Sequence, residues 1–83
     1  MKVYHFWSKT CEPCKKIKPV IEDLKEDFQE FEWTAVDIHN DPEKLTQKYD
    51  IKQVPTIVVE TFKGITSYTG TDSSAYFRLL KNA

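Results

Sequence analysis

Cys11 and Cys14 flank Glu12-Pro13 and are the only two cysteines in the 83-residue chain. Thiols at this spacing can cross-link the chain, ligate a metal or exchange electrons with another disulfide. As a cross-link the pair is poorly placed, because so short a loop removes on the order of 2 kcal/mol of chain entropy, against about 4.7 for a hundred-residue loop. A zinc site needs four ligands, and beyond the cysteines only His5 and His39 are available, with no second C-x-x-C and no H-x-x-x-H to complete a usual spacing. Exchange asks for less: one sulfur held as thiolate, and a second one helical turn away to release the mixed disulfide. If a helix begins at Cys11, its unpaired N–H groups favour the thiolate there. Cys11 is then the attacking residue and Cys14 the resolving one.

The neighbouring sequence supplies the elements that such a pair needs. Lys2 to Trp7 is a strand, with Val3, His5 and Trp7 on one face and Tyr4 and Phe6 on the other, as suits a central strand covered on both sides. Ser8 to Cys11 turns the chain into a helix with Pro13 in its first turn and Ile17, Val20, Ile21, Leu24 and Phe28 at helical spacing, kinked by Pro19. Phe31 to Ile38 is a second strand, and Asp41-Pro42 offers an N-cap and a first helical residue for a short helix reaching about Tyr49. Thr56 to Thr61 and Ile65 to Thr69, joined by a Lys63-Gly64 turn, form an antiparallel hairpin. Asp72 or Ser73 caps a last helix carrying Tyr76, Phe77, Leu79 and Leu80. The order β-α-β-α-β-β-α gives a right-handed parallel unit followed by a hairpin added to the same sheet, an α/β fold with helices on both faces.

A net charge of −1, with acidic and basic side chains spread along the chain, leaves no electrostatic footprint for nucleic acid or an anionic membrane. No apolar run approaches the roughly 20 residues of a membrane span, and no signal-peptide pattern opens the sequence. The expectation is one domain over residues 1–83, monomeric and in the cytoplasm, where a lone close pair is catalytic or metal-binding more often than structural.

Phe6-Trp7 four residues before C-x-P-C, then Lys15, Pro19, and Tyr49-Asp50-Ile51 leading into Val54-Pro55-Thr56, resemble the thioredoxin family over nearly the whole chain. The resemblance implies the thioredoxin fold in a minimal form, a four-stranded mixed sheet flanked by three helices, and the activity of a protein-disulfide reductase or electron carrier. It implies no cofactor beyond the Cys11-Cys14 disulfide itself. It also implies a cis Val54-Pro55 bond lying against the cysteines, with Val54 and Pro55 presenting backbone groups to an extended substrate. Proline statistics alone assign that bond trans.

By the same resemblance Trp7 shields the active-site loop, and substrate contacts fall on the loops carrying Thr10, Glu12, Pro13 and Gly70. Thr10 and Glu12 stand where many thioredoxins have Trp and Gly. The Glu12 carboxylate disfavours a thiolate at Cys11, while Lys9, Lys15 and Lys16 favour it. His5 aligns with the buried aspartate that moves a proton for the resolving cysteine, and Ala35 with that aspartate's lysine partner; a neutral imidazole is able to act as the proton acceptor. The alternative for a lone strand histidine is a purely structural role.

The expected partners are protein disulfides and a thioredoxin reductase-type donor, with ribonucleotide reductase among the clients that small phage carriers of this family serve. Two other readings stay open. The chain starts at the strand before the cysteines, as glutaredoxins do, and Gly70-Thr71-Asp72-Ser73 partly matches a glutathione-holding segment, although Val54-Pro55-Thr56 follows the thioredoxin pattern. The other reading is a non-catalytic module holding zinc or an iron–sulfur cluster. A disulfide-donating oxidase is disfavoured, since a reducing pool would keep its cysteines reduced.

Overall fold

The computed structural model describes all residues, 1–83. Along the chain run β1 (Lys2–Trp7), α1 (Glu12–Asp27), β2 (Glu32–Asp37), α2 (Leu45–Lys48), β3 (Thr56–Thr61), β4 (Gly64–Thr69) and α3 (Ser73–Lys81). The strands form one sheet in the order β2-β1-β3-β4. β1 and β2 are parallel, placing His5 opposite Ala35 and Trp7 opposite Asp37. β3 runs antiparallel to β1, and β4 antiparallel to β3. This is the mixed four-stranded sheet with three helices that the sequence leads one to expect.

β1 is interior because its residues are apolar on both faces, and Val3, Tyr4, His5 and Phe6 are all buried. On one face Val3, Ile57 and Val59 pack under Ile17, Ile21 and Leu24 of α1 and Tyr76 and Leu80 of α3. On the other, Tyr4, Phe6, Val36 and Val58 lie beneath Leu45, Tyr49, Ile51 and Val54. Full burial of one such aliphatic or aromatic side chain contributes roughly 1.5–3 kcal/mol. The two apolar layers therefore clamp β1, and with it the loop that follows Trp7.

Several local expectations are corrected. The Val54-Pro55 bond is cis, as the resemblance implied and against the proline statistics. The preference for trans before proline is only about 0.5–1 kcal/mol, small enough for tertiary hydrogen bonds around the turn to override. The second helix is a single turn, because Lys44 takes a left-handed conformation (φ 56°) that ends any helix starting at Pro42. Asp41 still caps it from a distance: its carboxylate accepts from the Leu45 N–H at 3.1 Å, the Thr46 N–H at 2.7 Å and the Thr46 hydroxyl at 2.6 Å. The hairpin turns at Phe62-Lys63, with Gly64 (φ 133°) already paired to Thr61 as the first residue of β4. α1 continues unbroken past Pro19, which sits on its exposed side.

Candidate active site

The site begins where β1 ends. Ser8 is buried; its Oγ lies 3.1 Å from Thr10 Oγ1, and its carbonyl accepts from the Cys11 N–H at 3.2 Å. This small turn delivers Cys11, in extended conformation, to the N-cap position of α1, with Pro13 in the first turn where its missing N–H costs nothing. Cys11 and Cys14 are joined as a disulfide with Cα atoms 5.3 Å apart. The two sulfurs are not equivalent. Cys11 is half-buried and surrounded by exposed Thr10, Glu12 and Pro13, whereas Cys14 is 5% exposed. Cys11 Sγ accepts from the Cys14 N–H at 3.1 Å, one of the orphan donors of the helix start. A thiolate at Cys11 is thus hydrogen-bonded and sits at the positive end of α1. The opposing Glu12 carboxylate is paired with Lys15 at 3.1 Å, both largely exposed, so its effect on the sulfur is small.

A second segment meets the first from across the sheet. Cys11 Sγ lies 3.6 Å from the Val54 carbonyl oxygen, within reach of a hydrogen bond from a thiol at that position. The Pro55 carbonyl accepts from the Gly70 N–H at 3.0 Å, and the Gly70 carbonyl accepts from the buried Tyr76 hydroxyl at 2.8 Å. Burial, with Tyr68 nearby as a second influence, makes that phenol hard to ionise, so it stays a donor. Thr56, also buried, donates from Oγ1 to the Gln53 carbonyl at 2.6 Å and lies 2.7 Å from Thr69 Oγ1. Val54, Pro55 and Gly70 are thereby one connected shelf beside Cys11. Ser8, Thr56 and Tyr76 were not singled out from the sequence. The first two carried a weak signal, hydroxyls flanking turns, while Tyr76 read only as one of a helix's apolar residues.

Behind Cys14 a cavity of about 400 Å³ opens between α1 and the sheet, lined among others by His5, Trp7, Ser8, Cys14 and Ala35. Trp7 and His5 lie in the wall that also holds the inner cysteine, and Ala35 pairs with His5 from β2. His5 is 8% exposed, and its Nε2 is the one buried side-chain nitrogen or oxygen without a hydrogen-bond partner. Burial, and then the Lys25 ammonium, push its pKa from 6.5 down to about 4, with Glu22 opposing. The imidazole is therefore neutral at neutral pH. His39 is exposed beyond β2, and no group of three or more His, Cys, Asp or Glu side chains is placed to hold a metal ion. A larger cavity of about 570 Å³ between β4 and α3 contains none of the candidate residues.

Fold and site together define a class: α/β proteins that carry a cysteine pair, one sulfur outward and one inward, where a central strand passes into a helix. The thioredoxin family model matches residues 1–81, and the chain belongs to the thioredoxin family. It is 33% identical over 60 residues to a thioredoxin of Staphylococcus epidermidis and 32% identical over 60 residues to one of Staphylococcus aureus. Each match covers 71% of this chain and 57% of the relative, so the aligned part spans little more than half the length of these curated relatives. Among solved structures, Fasciola hepatica thioredoxin superposes with a TM-score of 0.86 at 26% identity, over 98% of this chain and 78% of that one. Mitochondrial thioredoxin 3 from Saccharomyces cerevisiae reaches 0.90 at 19% identity, over 99% of this chain and 77% of its own, a likeness of fold.

Proposed function

We propose that this chain is a thiol-disulfide oxidoreductase that reduces protein disulfides through Cys11 and Cys14. The observation that carries the reading is the asymmetry of the two sulfurs: Cys11 reachable and hydrogen-bonded at the helix N-terminus, Cys14 buried behind it. The Cys11 thiolate attacks a client disulfide, forming a mixed disulfide and expelling one client thiolate. Cys14, as thiolate, then attacks Cys11, breaking the mixed disulfide and releasing the second client thiol. Two electrons pass to the client, and the Cys11-Cys14 disulfide awaits a dithiol donor. No cofactor enters this cycle.

Val54, Pro55 and Gly70, with Thr10, Glu12 and Pro13 on the opposite lip, form the surface that receives the client segment, and Trp7 closes the wall behind it. His5 takes the proton from the Cys14 thiol in the resolving step and returns it to the departing client sulfur. The neutral imidazole is free to accept it, and the new thiolate beside the ring offsets the cost of charging a buried group. A thioredoxin reductase-type enzyme is the donor, protein disulfides are the clients, with ribonucleotide reductase a candidate among them, and the cytoplasm is the compartment in which the pair would be kept reduced.

Reduction of insulin disulfides tests the reading, with dithiothreitol, a thioredoxin reductase or glutathione as electron source and Cys11→Ser as control. Turnover by the wild type and none by the variant is the expected result. A preference for glutathione would shift the assignment toward glutaredoxin-like use. Inactivity together with bound metal would favour a metal-holding module.

A further inference from the structure

The cavity behind Cys14 is a groove with a sign of charge. α1 contributes Cys14, Lys15, Lys18, Ile21, Glu22 and Lys25 to its wall, a single helical stripe roughly 16 Å long, and Lys9 stands at the cysteine end. Two of its four ammonium groups are already matched: Lys15 with Glu12 at 3.1 Å, and Lys25 with Glu22 at 3.7 Å. Lys9 and Lys18 have no carboxylate within ion-pairing distance. The floor holds His5, nine-tenths buried and unpartnered at Nε2. Positive charge is thus concentrated beside the reacting sulfurs of a chain whose net charge is −1.

We propose that this groove is a specificity subsite for acidic side chains flanking a client's disulfide, with Lys9 and Lys18 as the residues that bind the carboxylates. The inference rests on the oxidoreductase reading and adds to it a substrate class, clients with Asp or Glu next to the target cystine. Three features favour an acidic segment over a neutral or basic one. The unmatched charges are both positive. They line the same cavity as Cys14, the cysteine disulfide-bonded to Cys11. The charged side chains lining the groove are four lysines against the single carboxylate of Glu22, so the groove as a whole carries an excess of positive charge. Lys18 and Lys25 approach from α1, Lys9 from the loop after β1, and β2 brings only Ala35.

The test uses the full chain and three matched disulfide peptides whose flanking positions are Glu, Gln or Lys, with dithiothreitol recharging the protein. The Glu peptide is expected to show kcat/KM about fivefold above the Gln peptide at low salt, as two partly exposed charge pairs allow, with the Lys peptide below both. The advantage should collapse to within twofold in a Lys9→Gln/Lys18→Gln double variant and in 0.5 M salt, and persist in Lys63→Gln at the far hairpin. Equal rates for the Glu and Gln peptides, or an advantage that survives the double variant, overturn the proposal. A second readout is independent of turnover: cysteine-free Glu peptide titrated into the protein should shift the His5 ring resonances, and the Lys peptide should not. If no peptide is reduced yet the Glu peptide shifts His5, the oxidoreductase reading has failed and the acidic subsite stands. If neither peptide shifts His5, the subsite is overturned whatever the rates.

Discussion

Cys11 and Cys14 differ in what surrounds them, and the difference predicts different consequences of losing each. Cys11→Ser removes the only reachable sulfur and abolishes reduction. Cys14→Ser leaves the attacking group and its position at the helix start, so a mixed disulfide with the client is expected to accumulate, visible by mass spectrometry of the intact adduct and absent from Cys11→Ser. In the proposed cycle His5 acts in the second half. Replacing it with Asn should leave the first attack unchanged and slow resolution by on the order of 10²-fold near neutral pH, with the deficit shrinking as pH rises and solvent base takes over. Turnover unaltered from pH 6 to 9 would show that His5 moves no proton. The charge of Glu12 is set aside by Lys15 in the folded protein, a pairing that spacing allows but does not require.

At the scale of elements, the site is a junction between two pieces of chain that never meet in sequence. The turn after β1 carries the cysteines, and the Gln53–Pro55 turn carries the shelf, 43 residues separating Cys11 from the Val54 carbonyl it approaches. Gly70 is the hinge of this arrangement. Its φ is 141°, and an added Cβ would lie 2.7 Å from Tyr68 Oη, while its N–H and C=O are both used, by Pro55 and Tyr76. Gly70→Ala is expected to cost about 1–3 kcal/mol of stability, read from the urea midpoint, and to raise KM for insulin as the Pro55 shelf shifts. An unchanged midpoint would mean that the segment can relax without loss. α2 shows how a sound local signal can miss its target: Asp41 does cap, but from four and five residues away, after Lys44 has turned the chain.

For the molecule as a whole, His5 makes stability depend on pH. The unfolded chain takes up a proton on this residue below about pH 6.5, whereas the folded protein does so only near pH 4. The unfolded state therefore binds more protons in that window, and stability falls as pH drops through it, by about 3 kcal/mol in total for this shift. Asp41, held below the usual carboxylate range chiefly by the Thr46 hydroxyl, adds its own loss only at lower pH. Denaturant unfolding at pH 7, 5.5 and 4 should show the decline in wild type and a much flatter profile in His5→Asn. An equal slope in both would place the titrating group elsewhere.

The succession of elements, the central place of β1 and the cysteine pair at a helix start were all legible in the residues, because alternation, helical spacing, proline and capping groups act within a few positions. The thioredoxin resemblance was legible for the same reason, resting on short runs such as Cys11 to Cys14 and Val54 to Thr56. Other features came only with the tertiary structure. These are the hydrogen bond from Tyr76 to Gly70 and the lysine-lined groove over His5; the cis bond before Pro55 and its approach to Cys11 were implied by the family resemblance but not by the local preferences of proline. Each depends on groups far apart in the chain meeting across the sheet, where burial and long-range hydrogen bonds outweigh preferences of a kcal/mol or less that local sequence sets.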